Sequence, residues 1–277
     1  LLYGAKFMNF YRCIFYLYIF LVPLHSIAVT VNENANECVD NVSGLNFFFK
    51  NTQESNCDLL VMPEMHKFDK AILDICGDWG HRPKREDFRN MLDNVEYKEY
   101  VDKIYAALDH QVFTPNADLD TFKKELVKLW FKKRGFTHIM CGEPNRKRLG
   151  GMHFFGRYVQ AQQNNWAGRY YNSSDEVSDR IFTIGVVYKN RSNQLVINTK
   201  KSYDLSHADD LIIHATKAYK ALAKNINLTN NRFCLYDHDN IAYALVASKD
   251  AVVTFFADLT PNCRAGEGKC NCIKDVA

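Results

Sequence analysis

Apolar positions in the first half of the chain recur at helical spacing. In "LDTFKKELVKLWF", Phe122, Leu126, Leu129 and Trp130 fall at i, i+4, i+7 and i+8, which is one face of a helix. Thr114-Pro115 ahead of it reads as a cap and first-turn proline. The stretch "KREDFRNMLDNVEYKEYVDKIYAAL" predicts a second long helix, and "MHKFDKAILDIC" a third. After Gly135 the period changes to two: "IFTIGVVY" puts Phe182, Ile184, Val186 and Tyr188 on one face, and "NQLVINTKKSY", "RFCLYDH", "IAYALVAS" and "AVVTFF" are further strands. Two helices interrupt them, one from Gly151 through "HFFGRYVQAQQ" and one from Ala208 to Leu222 with Leu211, Ala215, Tyr219 and Leu222 in a stripe. Helices first and strands later predict an α+β fold with a helical N-terminal lobe.

The ends of the chain read differently. Met8 reads as the initiator, and Arg12, the apolar run "CIFYLYIFLVPL" and the small residues of "HSIA" form the pattern of a secretory signal peptide over residues 8–28. An apolar core of about 12 residues is short of the roughly 20 that span a bilayer, so the mature form is expected to start near Val29, without a membrane anchor, and to be secreted. Eight cysteines remain beyond Cys13, an even number that favours disulfides in an exported protein. Sequons at Asn41, Asn172, Asn190 and Asn227 agree with that route and place four stretches at the surface of a glycoprotein. The expected organisation is a leader and signal peptide over 1–28, a helical region over 29–134, a strand-rich region over 135–260 and a cysteine-rich tail over 261–277. A net charge of +3 is too small to imply a polyanionic partner from the total alone. Local clusters say more: "KKR" at 132–134 and "NRKR" at 145–148 surround one histidine-bearing stretch.

That stretch is "GFTHIMCGEPNRKRLGGMH", in which His138 and His153 stand fifteen positions apart around a glycine- and arginine-rich turn. His138 is expected in a short β-like run, and residues 142–151 in a tight reversal that returns the chain to His153 at the start of the next helix. Two imidazoles facing one cavity suit RNA cleavage: one takes the proton of the ribose 2′-hydroxyl and the other protonates the departing 5′-oxygen. The negative phosphorane then needs a cation or preset donors. Taken singly, each histidine also reads as a structural residue, Glu143 as a turn cap, and Gly150 and Gly151 as positions of positive φ.

"HIMCGE", "LGGMH" and the following "GRYVQAQQNNWAG" together resemble the EndoU endoribonuclease family, most specifically its bacterial-type branch, over residues 135–168 and more faintly to about Phe256. The resemblance implies a fold of two antiparallel-sheet lobes with packed helices, and an enzyme that cleaves single-stranded RNA at uridylates, leaving a 2′,3′-cyclic phosphate and a 5′-hydroxyl; with the leader pattern, a secreted one. It implies that His138 and His153 are catalytic, with His138 as base, and that a lysine from "NTKKSYDL" joins them. In a regular strand Lys200 and Ser202 share a face, which favours Lys200; a bulge would favour Lys201. Ser202 and Thr254 match positions that orient the base, and Gly151, Arg146, Lys147 and Arg148 would contact the strand. Phe256 stands where relatives carry tyrosine, so a hydroxyl is lost and a stacking face retained. Manganese is a possible cofactor; Thr137 replaces a glutamate of relatives, leaving Glu143 as the metal-linked candidate. Two other readings stay open: a secreted RNA-binding or host-interaction scaffold without turnover, and a metal-dependent nuclease or phosphatase, for which no carboxylate cluster is visible near 138–153.

Overall fold

Four helices precede the strands: α1 (Lys67–Cys76), α2 (Arg85–Asp93), α3 (Lys98–Ala107) and α4 (Leu119–Phe131). In this computed structural model the described residues are 38–39, 44–53, 55, 57–178, 180–225, 228–261 and 272, all within the unit spanning 33–277. The predicted stripe of α4 is buried, but its cap is Asp118, whose carboxylate accepts from the Thr121 amide at 2.8 Å. Thr114 instead donates its hydroxyl to Glu125 at 2.6 Å. The long helix expected over 84–108 is two helices, because the Asn94 side chain accepts from the Glu96 amide at 3.0 Å and starts a short turn, Val95–Tyr97. An asparagine that bonds its own backbone competes with helix continuation.

The larger sheet is centred on β5 (Ile181–Lys189). β3 (Ala167–Tyr170) and β4 (Glu176–Ser178) share one of its edges, β6 (Leu195–Asp204) lies along the other, and every pairing is antiparallel. Residues 181–186 are therefore all buried instead of alternating, since a central strand is covered on both faces. β7 (Arg232–His238), β8 (Ile241–Ser248) and β9 (Ala251–Ala257) form the second sheet. α6 (Ala208–Asn225) packs on β8, β9 and α1, and α5 (Phe155–Gln163) packs on α1 and β3. The α+β expectation holds; β3 and β4 are elements that periodicity does not reveal. One hydrophobic core runs from Phe68 and Phe88 through Trp130 and Tyr158 to Phe255.

The helices are joined to the strand region by a buried cation. Arg157 of α5 is 0% exposed and donates to the carbonyls of Cys141 at 2.9 Å, Gly77 at 2.8 Å and Asp78 at 3.2 Å. Its guanidinium lies 5.4 and 5.0 Å from the ring centres of Trp79 and Trp166. The Cys76–Cys141 disulfide crosses the same junction, and Cys38–Cys57 and Cys234–Cys272 are the other two bridges among the described residues. Cys263, Cys270, residues 8–28 with their expected signal peptide, Asn41 and Asn227 lie outside those residues. Asn172 is exposed, but Asn190 is only 4% exposed. Its side-chain oxygen accepts from the Ser192 and Gln194 amides at 2.9 and 3.0 Å, so the expectation that all four sequons are displayed fails at this turn. No helix of the described residues is long and apolar enough to cross a membrane.

Replacing Arg157 with Met leaves three carbonyls without their charged donor, and is expected to lower unfolding stability by about 3 kcal/mol in a denaturant titration. A loss below about 1 kcal/mol would show that the guanidinium is not what holds the junction.

Candidate functional site

At the end of α4, Arg134 adopts φ 60° and Gly135 follows, and the chain enters a five-residue π-helical turn, Thr137–Cys141, instead of the expected β-like run. The wide turn is closed by the Gly142 amide on the Thr137 carbonyl at 2.9 Å. It is anchored from outside, since Cys141 is tied both to Cys76 and to Arg157. β1 (Glu143–Pro144) and β2 (Leu149–Gly150) then pair antiparallel, Glu143 opposite Gly150, with Arg146, Lys147 and Arg148 exposed at the tip. This is the predicted reversal.

The returning strand is stitched to the π-turn by two backbone bonds, Met152 N–H to the His138 carbonyl at 2.7 Å and His153 N–H to the Ile139 carbonyl at 2.8 Å. Gly151 permits this at φ 58°, because a Cβ there would fall inside the His138 carbonyl. Gly151 thus acts as a spacer for the histidines. α5 starts only at Phe155, so His153 stands on the segment connecting β2 to it and not at a helix start as expected.

The two imidazole rings lie 5.7 Å apart, centre to centre, inclined by 50°. Their environments differ. His138 Nδ1 bonds Glu143 Oε2 at 2.9 Å, and Arg134 reaches the same carboxylate at 3.7 Å. His138, then Arg134 and Arg82, hold the Glu143 carboxyl below its ordinary pKa against the opposing effect of burial. An ionised Glu143 receives Nδ1–H and leaves Nε2 as the free nitrogen of His138. His153 is 7% exposed, donates Nδ1–H to the Ser202 carbonyl at 2.6 Å, and stacks on Phe256 with ring centres 4.7 Å apart. Burial, and then the charges of Lys201 and His138, push its pKa well below the ordinary histidine value, so it is neutral with its lone pair on Nε2.

Lys201 supplies the buried cation of the group. It is 7% exposed and donates to the Leu149 carbonyl at 3.0 Å. Burial, followed by repulsion from Arg148, lowers its pKa to about 8, with Glu143 opposing. Lys200, the parity choice, is exposed and reaches Thr260 at 3.4 Å. The reversal has a visible cause: Ile184 pairs with Lys201 but Val186 with Asn198, so Thr199 and Lys200 together face Gly185 across a β-bulge. Ser202 is likewise not displayed toward a base, since its hydroxyl bonds Thr183 at 3.0 Å. Phe256 spends a ring face on His153, and the Thr254 hydroxyl is buried without a partner among the described residues. Arg134 and Arg157, which hold Glu143 and the π-turn, carry no sequence signal that marks them.

The described residues whose metal-ligating atoms cluster are His66, Asp69 and His207, mutually within 4.8 Å. Asp69 is accounted for as a double cap: it accepts from the Ala208 amide at 2.8 Å, the His66 amide at 2.9 Å and His207 Nδ1 at 2.6 Å. Glu143 belongs to no such cluster and is surrounded by Arg134, His138 and Arg82. A hard divalent cation wants several oxygen ligands, so the donor set at Glu143 does not fit manganese.

Residues 132–259 match the family model described as bacterial EndoU nuclease. The likeness to EndoU nucleases lies in this segment, just under half of the chain. Both histidines, Lys201 and strands β1 to β9 lie within the EndoU segment, and α1 to α4 begin ahead of it. Among solved structures, the endoribonuclease Nsp15 of Middle East respiratory syndrome coronavirus is similar at 18% identity and a TM-score of 0.34, over 55% of this chain and 40% of that one. XendoU, described as a splicing-independent snoRNA-processing endoribonuclease, is similar at 14% identity and a TM-score of 0.45, over 70% of this chain and 77% of that one. The chain thus spans less than half of the viral protein. No curated protein matches it.

Gly151→Ala is expected to force the returning strand away from His138. Any activity carried by the histidine pair should fall about 100-fold or more, as about 1 Å of misplacement does elsewhere. Retention of full turnover would show that the backbone stitch does not set the pair.

Proposed function

We propose that this protein is a secreted endoribonuclease that cleaves single-stranded RNA by transesterification. The observation that carries the reading is the facing of two imidazoles, 5.7 Å apart and fixed by different partners, in the segment that matches the bacterial EndoU nuclease model. His153, neutral with Nε2 free, takes the 2′-hydroxyl proton. The 2′-oxygen then bonds to phosphorus as the bond from phosphorus to the 5′-oxygen breaks, and protonated His138 gives its Nε2 proton to that oxygen. The products are a 2′,3′-cyclic phosphate and a 5′-hydroxyl. This assignment reverses the base role expected for His138, and the reason is electrostatic: His153 lies beside Lys201, which opposes a second positive charge there, while His138 is backed by a carboxylate. Lys201 stabilises the charge on the phosphorane with the protons not given to Leu149.

Uridylate preference also belongs to this proposal, in weak form. Ser202 is turned to Thr183 and Phe256 is packed on His153, so Thr254 is the remaining polar group among the positions matched to base recognition. Discrimination between otherwise equal uridine and cytidine substrates is expected to stay within about ten-fold, the scale of a pocket without a dedicated hydrogen bond. The donor set at Glu143 does not fit manganese, so a chelator is expected to leave cleavage intact.

The test is cleavage of a uridine-containing oligonucleotide with product analysis. His138→Ala and His153→Ala should each lower kcat by about 100- to 10,000-fold. Product that persists in both variants would place proton transfer elsewhere, and strand binding without product in the wild type would favour a binding scaffold. A lysine of lowered pKa is charged below that pKa and neutral above it. Activity should therefore decline as pH rises through about 8, and Lys201→Arg should move that decline upward or remove it. An unchanged alkaline limb in Lys201→Arg would assign it to another group.

A further inference from the structure

Beside the histidines lies a cleft of about 470 Å³ whose walls come from three distant parts of the chain: residues 80–86, the π-turn with its hairpin, and the turn between β5 and β6. The volume is in the usual range for ligand sites, about 300–1,000 Å³. Its lining includes Arg82, Lys84, Arg134, Arg148 and Arg191. Arg134 is committed to Glu143. Arg82, Lys84, Arg148 and Arg191 are exposed and have no ion-pair partner within 4.0 Å among the described residues.

The arrangement is built. The Gly80 backbone lies against Pro144 and Arg191, near enough that a Cβ there would be 3.2 and 3.6 Å from their side chains. Trp79 donates to the Lys189 carbonyl at 2.5 Å, and Arg157 with the Cys76–Cys141 bridge fixes residues 76–78 to the π-turn. These interactions hold the segment that carries Arg82 and the turn that carries Arg191 together at the hairpin before any ligand arrives. The cleft also shares a wall with the site, because Glu143 lines it and holds His138. The larger adjoining groove of about 820 Å³ between α2 and α4 is different in kind. Its cations are already paired, Lys128 and Lys132 with Asp250 and Arg89 with Asp93 and Asp120.

We infer that this cleft binds the phosphates of single-stranded RNA next to the scissile one, so that residues ahead of the EndoU segment, Arg82 above all, select strands over dinucleotides. The inference rests on the endoribonuclease reading above. A strand held at the histidines carries a further charge at every nucleotide, and the cations that line the cleft with Glu143 meet it. Exposed guanidiniums give up little hydration on meeting phosphate and suit its paired oxygens.

The experiment compares the wild type with the Arg82→Gln/Arg191→Gln double variant and the corresponding double Lys variant. Binding is read by anisotropy on a labelled oligouridylate whose 2′-hydroxyls are replaced by hydrogen, and cleavage on the ribose form and on a dinucleotide. The Gln variant should bind about ten-fold more weakly near 0.1 M salt, and its slope of log K against log salt should shrink by about 1.4, because each phosphate that a single strand no longer has neutralised accounts for about 0.7. Its kcat/KM should fall further on the long substrate than on the dinucleotide, while the Lys variant keeps the salt slope. An unchanged slope, an equal fall on both substrates, or a loss of heparin binding with the strand still held would each overturn the inference. If the wild type cleaves nothing but binding still shows the arginine-dependent slope, the cleft stands and the catalytic reading falls.

Discussion

Two backbone hydrogen bonds, from Met152 and His153 to the carbonyls of His138 and Ile139, set the geometry on which everything at the site depends. They hold two chain segments closer than any side chain at position 151 would allow. With that pairing made, the hairpin between them has little freedom. Glu143 falls beside the His138 ring, and Leu149 presents its carbonyl to Lys201. The candidate site is thus assembled by main-chain pairing, which is directional and rigid, more than by the packing of its own side chains.

The same assembly makes the two imidazoles unlike. One is partly open and bonded to a carboxylate, and the other is buried, stacked on Phe256 and bonded to a neutral carbonyl. Burial beside Lys201 disfavours charge on His153, and a carboxylate accommodates it at His138. The surroundings thus differ before any ligand arrives: the buried imidazole is held neutral, and the other has a carboxylate on its Nδ1 side. Lys201 bears the cost of the arrangement, since burial and Arg148 bring its pKa down to about 8.

A second constraint links the helices ahead of the EndoU segment to its first turn. Arg157 gathers carbonyls from residues 77, 78 and 141, and the Cys76–Cys141 bridge closes the same loop covalently. Removing either would loosen the π-turn and the 80–86 segment together, so stability at this junction and the shape of the basic cleft are one property.

Much of this molecule could be read from local pattern. The apolar stripe of α4, the five strand runs after residue 180 and the reversal between His138 and His153 follow from the 3.6- and 2-residue periods and from glycine placement, properties that neighbouring residues settle among themselves. The break at Asn94 and the true cap at Asp118 were local too, but turned on which of several polar side chains reached a backbone amide first. What periodicity could not supply depended on partners far away in the chain. A bulge opposite Gly185 decided for Lys201 over Lys200, and the π-turn in place of a strand at His138 is held by Cys76 and Arg157. A single inserted residue in a ladder exchanges the faces of all that follow, and no count along one strand can detect it without the register of the strand beside it.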